Sequence, residues 1–311
     1  MEVKTSNVFW EIKALAILSV FYAHLVWEGD WETGIAIYES IGCLGVPLFM
    51  LMAGFFDAKS RTPLRERLIK LFIPLFIWGT LTFILKFYLD PLYTFSTFPS
   101  DFFKWIYGCG SWYYFIPVLF WCLLLVRYIN CWVLLIVGIV SMILSYMEII
   151  PYNDYFTPYT NPFNYIAYFL MGRVYRLRKG DDIIVPRIIL ILSVFVTIGF
   201  IFLFKIPKYW NPFTLLFTIA IFLIFWSILY KIPQNKLIVK IGKLSMVLYL
   251  CHLQIAQALA TRICAYLGGG IIANVIKVPV VFFIVVALVY SLELVLTKMK
   301  LEKLKLWLGY K

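Results

Sequence analysis

Charge is scarce in this sequence. Only 14% of its 311 residues are charged, against about 25% in water-soluble domains. A soluble fold of this length could not cover its surface with so few, so composition excludes that class. Histidine is scarcer still, with two residues, His24 and His252. The six cysteines, Cys43, Cys109, Cys122, Cys131, Cys251 and Cys264, form no CxxC pair and no Cys/His metal spacing. Neither a zinc site nor a disulfide framework is indicated, and no metal is expected. Strand-like alternation and internal repeats are missing. No A-x-A-like cleavage site follows the first apolar stretch, Ala14 to Trp27, so it reads as an uncleaved membrane helix rather than a signal peptide.

What is abundant is apolar surface. Hydrophobic residues reach 63% and aromatics 19%, and the mean hydropathy is +0.90. A spanning helix needs roughly 20 mostly apolar residues. The chain offers about ten such stretches, near 8–27, 34–56, 69–89, 112–129, 131–148, 162–178, 184–204, 211–230, 241–261 and 271–297. Backbone polar groups in lipid must pair within their own segment, so helices are the default. The expected fold is all-α, a polytopic transmembrane helical bundle of about ten helices. It forms a single membrane-embedded domain over 1–311, with no appended soluble domain.

The formal net charge of +12 invites a nucleic-acid reading, but the distribution argues against it. Most Lys and Arg lie at the start, in 57–70, at Arg127, and in 173–187, 231–243 and 298–311. These are alternate gaps between apolar runs. The other gaps carry Glu28, Asp30, Glu32, Asp90, Asp101, Glu148 and Asp154. That asymmetry is the positive-inside pattern and places both the N- and C-termini in the cytoplasm. The partner it implies is a lipid bilayer, not nucleic acid.

An ionisable side chain at membrane depth is a candidate functional residue. His24 has Lys13 eleven residues before it and Glu28 four residues after it. Eleven residues close about three turns, so Lys13 and His24 share a helix face roughly 16 Å apart. One stripe thus carries a cation, an imidazole and a carboxylate. A neutral imidazole can take a hydroxyl proton, and a carboxylate can hold its tautomer. Each has a plainer reading: a snorkelling lysine, a histidine bonded to a neighbouring helix, one more acid in an acidic loop. Glu11, two positions from Lys13, faces another way. Arg65, Arg67 and Lys70, with Lys59 and Arg61 nearby, form a basic cluster that would suit a phosphate or simply anchor the third helix. Arg173 and Arg176 read as anchors. Gly45, Pro47 and Gly54 permit a kink or a close helix approach. Trp112, Tyr113 and Tyr114 suit an interfacial aromatic belt or a sugar-stacking face.

These segments resemble, in order, the acyltransferase 3 family of bacterial membrane acyltransferases. EIKALAILSVFYAH (Glu11 to His24) is similar to the family's opening, where a Lys or Arg lies eleven residues before an essential histidine. GVPLFMLMAGFF (Gly45 to Phe56) resembles its second-helix signature, with Ala53 where serine is usual. RERLIKLFIPLFIW, SWYYFIPVLFWCLLL, IAYFLMGRVYRL and GKLSMVLYLCHLQI resemble its later segments, the last carrying a Ser…Tyr-Leu-x-His pattern. Trp10 stands where an acid is common, and Lys13 where arginine is commoner. The resemblance implies a multi-pass enzyme of the bacterial cytoplasmic membrane, an O-acetyltransferase. Its donor substrate would be acetyl-CoA, with no tightly bound cofactor. Its acceptor would be a carbohydrate, a surface polysaccharide or lipid-linked sugar. It further implies His24 as general base or acyl carrier, aided by Glu28. Lys13, Arg65, Arg67 and Lys70 would meet the donor phosphates. Trp112, Tyr113, Tyr249 and His252 would line the acceptor side. The competing readings are a transporter or flippase for a lipid-linked sugar, and a scaffolding membrane protein.

Overall fold

The computed structural model describes residues 2–25, 41–89, 97–109, 112–179, 185–203, 210–267 and 271–310. Among these, all regular structure is helical. Helix α1 is Glu2–Leu25, α2 Gly45–Asp57, α3 Leu64–Leu89, α4 Phe98–Tyr107, α5 Phe115–Tyr128, α6 Cys131–Tyr146 and α7 Phe163–Lys179. Then follow α8 Arg187–Leu203, α9 Pro212–Leu229, α10 Lys236–Lys243, α11 Ser245–Cys251, α12 Gln257–Leu267, α13 Ile271–Lys298 and α14 Glu302–Trp307. Each of the ten apolar stretches contains helix. Among the described residues, four segments are long and apolar enough to cross a membrane: Asn7–Leu25, Leu64–Tyr88, Pro212–Leu229 and Ile276–Lys298. Gly42–Asp57, Phe115–Tyr128, Cys131–Tyr146 and Arg187–Gly199 are shorter apolar helices. Many of their outward side chains are large and apolar, among them Phe76, Leu81, Ile136, Ile188, Phe195 and Phe283. A helix apolar on its outer face as well as its inner one is the pattern of a membrane bundle.

Two departures from the expected layout matter. The loop after α3 folds into the short helix α4, which Gly108 ends in a left-handed conformation at φ 96°. The ninth stretch is broken. It is α10, a turn at Leu244, α11, a π-helical turn over His252–Ala256, and α12. Asparagines cap the starts of α6, α9 and α10. Asn130, Asn211 and Asn235 accept from Trp132 N, Phe213 N and Leu237 N respectively, the ordinary N-cap bond.

Glycine sets the tightest packing. A Cβ on Gly54 would lie 1.8 Å from the Phe169 carbonyl oxygen, and one on Gly172 1.9 Å from that of Leu51. The two glycines face each other's helices, so α2 and α7 touch backbone to backbone. Gly242 meets the Trp10 carbonyl oxygen in the same way, which lays α10 along α1. Of the two sequence options for Gly54, close approach is the one realised. Without a hydrophobic drive between helices in lipid, such contact and interhelical hydrogen bonds supply the association. The bonds are present between α6 and α7. Asn164 Oδ1 accepts from Ser141 and Ser145, each at 2.9 Å, and Asn161, just before α7, donates to Ser141 at 3.1 Å.

Candidate functional site

The bundle forms a half-open cavity of 480 Å³ between α1, α2, α3, α5, α11 and the chain from α14 onward. Its walls are mostly apolar, from Phe49, Phe56, Phe115 and Leu119, with Lys13, Arg67, Lys70, Ser245 and Tyr249 as polar groups. Ala53 is also on the wall, so the alanine that stands where serine is usual leaves that spot apolar. The helices place these residues by periodicity. Trp10 and Lys13 share one face of α1, as do Arg67, Lys70 and Leu71 of α3, at three- and four-residue spacings.

The basic residues are each held. Lys13 Nζ lies 4.6 Å from the Trp10 ring centre and 5.0 Å from that of Phe56, so aromatic faces steady it at the cavity wall. Arg67 donates to Asp57, whose side chain is wholly buried, and Arg173 donates to the other Asp57 oxygen. Lys70 pairs with Glu66 at 2.5 Å. Arg176 donates to the Phe55 carbonyl at 3.2 Å and sits over the Phe55 ring at 4.8 Å. One carboxylate thus ties α2, α3 and α7 together and still leaves that corner net positive. Asp57 was not singled out from the sequence. Its signal was there: an acid closing an apolar helix that opens a basic stretch. Arg65 is not brought to this cavity. It is exposed and borders an apolar groove with Leu68, Phe72 and Phe120, because two positions from Arg67 is a different helix face. Arg173 was expected only to anchor, and its pairing with Asp57 makes it a support of the cavity wall.

The two histidines, far apart in sequence, meet. Their ring centres are 5.0 Å apart, with planes tilted by 41°. His24 lies in the last turn of α1. His252 opens the π-helical turn after α11 and is buried. Its Nδ1 contacts the Tyr249 carbonyl, and its ring stacks on the Tyr249 ring at 5.5 Å. Phe21, one turn before His24, lies 6.0 Å from His252. Tyr249 belongs to both groups: it lines the cavity and backs His252. Phe115 and Tyr113 pack edge-on against it, at 5.5 and 6.4 Å. Tyr113 is fully buried, and its hydroxyl donates to the Leu250 carbonyl at 2.9 Å. It is a packing and bonding group rather than an open face for stacking a sugar. His24 itself is not on the wall of the 480 Å³ cavity. Glu28 and the Trp112 side chain lie outside the described residues. Glu11 is buried away from this cluster and accepts from the Asn235 backbone N–H at 2.9 Å, which agrees with its facing away from Lys13.

A sequence profile described as an acyltransferase domain matches residues 11–294, nearly the whole chain. The chain belongs to the acyltransferase 3 family. Its coarse activity is therefore acyl transfer. No curated protein matches the chain, and no solved structure does. In this member of the acyltransferase family the paired imidazoles connect through Tyr249 to an apolar cavity with cationic groups on its wall, an arrangement that can hold a long apolar-bodied ligand by its charged end.

Sequence reasoning also passed over Lys277. It is fully buried inside α13, on the inward stripe that continues through Val278, Val281, Phe282 and Val285. Phe282 packs edge-on against Phe21 at 5.0 Å, so this stripe faces the helix that carries His24. A lysine within an apolar run was the available signal.

Proposed function

We propose that this protein is a membrane O-acetyltransferase that moves acetyl from cytosolic acetyl-CoA to a hydroxyl of a surface polysaccharide or lipid-linked sugar. The observation that carries the reading is a continuity of contacts. Lys13, Arg67 and Lys70 share one cavity with Tyr249, and Tyr249 stacks on His252, which lies 5.0 Å from His24. In this reading the donor's phosphates rest among the three cations, as charge-assisted hydrogen bonds favour. Its slender thioester arm follows the apolar cavity. Both termini and the basic gaps face the cytoplasm, where the donor is, in a bacterial inner membrane.

His24 is the reactive base. The acceptor oxygen attacks the thioester carbonyl carbon, and His24 takes the hydroxyl proton as the C–O bond forms. The tetrahedral adduct collapses by breaking C–S, and the departing thiolate takes the proton back from His24. No other group need change its charge. His252 and Tyr249 lie toward the acceptor, and Glu28, four residues past His24, would steady its tautomer.

The test is transfer of labelled acetyl from acetyl-CoA to isolated surface glycan in membranes. His24→Ala should lower the rate by about 10²–10⁴-fold without loss of donor binding. Unchanged transfer would remove His24 from this role. Translocation of a lipid-linked sugar with no acetyl transfer would replace the reading by the flippase.

A further inference from the structure

The neighbour of the reactive histidine bears on what the acceptor must look like. His252 is almost completely buried, at 1% exposure. Its Nδ1 faces the Tyr249 carbonyl oxygen. A carbonyl can only accept, so Nδ1 carries the ring proton. Nε2 is then a lone-pair acceptor. It is buried and has no hydrogen-bond partner among the described residues. Buried ring nitrogens are seldom left so. The ring is also held hard: stacked on Tyr249 at 5.5 Å, with Phe21 at 6.0 Å, at the first residue of the π-helical turn His252–Ala256. Such turns interrupt α-helices at functional places. A fixed acceptor atom thus sits beside His24, with no donor to it among the described residues.

We propose that His252 Nε2 receives a hydrogen bond from a second hydroxyl of the acceptor, adjacent to the one that is acetylated, so that the enzyme selects a vicinal diol. This rests on acyl transfer at His24 and adds the substrate class. Two oxygens on neighbouring sugar carbons lie about a hydrogen-bond length apart. Two imidazoles with centres 5.0 Å apart can each reach one of them. His24 takes the proton of the reacting hydroxyl. The second hydroxyl stays protonated and donates to Nε2, which fixes which oxygen faces the thioester. The bonds made and broken in the transfer are unchanged. A site built to accept from a hydroxyl penalises the analogue that lacks it, since the buried acceptor is then left unpaired.

The experiment uses the full-length protein in membranes with labelled acetyl-CoA. The acceptors are isolated surface glycan and two methyl glycosides, one with a vicinal diol and its counterpart with a single deoxy position beside the remaining hydroxyl. Wild type should acetylate the diol at least 10²-fold faster in kcat/KM than the deoxy compound. His252→Phe keeps the ring and its stacking, and should bring the two acceptors to similar, low rates. His252→Gln, whose amide oxygen accepts, should restore part of the preference. Donor binding measured in parallel separates lost discrimination from lost folding. Equal wild-type rates on diol and deoxy acceptors would overturn the inference and leave acetyl transfer standing, as would undiminished preference in His252→Phe. Failure of wild type to acetylate glycan or diol would overturn both.

Discussion

Asp57 is one carboxylate serving two guanidiniums, and it decides what Arg67 can do. Paired with Asp57, Arg67 is held at the cavity wall. Removing a buried partner leaves like charges facing each other without compensation. Asp57→Ala should therefore lower the stability of the detergent-solubilised protein by about 3 kcal/mol, seen as an earlier thermal midpoint, and weaken acetyl-CoA binding as well. Arg67→Ala should weaken donor binding roughly tenfold or more, the worth of a charge-assisted hydrogen bond. Arg65→Ala should leave it unchanged, because Arg65 borders a different surface. Equal effects of the Arg65 and Arg67 variants on binding would return the whole cluster to membrane anchoring. The charges themselves were legible in the sequence. That Arg67 and Lys70 enter the cavity and Arg65 does not was not legible, since that depends on the rotation of α3 against α1 and α5.

Glycine pairs do for whole helices what Asp57 does for side chains. Gly54 and Gly172 interlock α2 with α7 at separations no other residue permits. A methyl group at either position meets backbone rather than a flexible side chain, so the helices must part. Gly172→Ala should cost about 3 kcal/mol, the upper range of overpacking, read as loss of folded protein on heating in detergent. A wild-type melting profile would show that the helices slide freely. The broken ninth stretch is the other lesson at this scale. From hydropathy alone it reads as one helix over 241–261. Nothing in the pattern of Ser245 to Gln257 announces a π turn, because the extra residue in the turn is selected by what packs around it. Here those neighbours are Tyr249, Phe21 and His24, and the turn is where His252 enters the cluster.

Across the whole molecule, the basic and acidic gaps alternate, and the cavity's three cations lie toward the basic end. That end is expected in the cytoplasm. In a background with the native cysteines replaced, Asp154→Cys should react with an impermeant thiol reagent added to intact cells. Lys59→Cys should react only after the membrane is opened. The reverse result would put the donor cavity on the wrong side for cytosolic acetyl-CoA and remove that donor from the reading.

Composition and order along the chain were enough to determine the membrane class, the helical state and the family, because each follows from local requirements: satisfied backbone groups in lipid, apolar length, and residues at fixed spacing on one helix. The stripe from Lys13 to His24 is of this kind. Contacts between residues far apart in sequence are not. The meeting of His24 with His252, the hold of Asp57 on Arg67 and Arg173, and the exclusion of Arg65 were decided by how helices rotate and approach, which glycine contacts and buried polar bonds settle together.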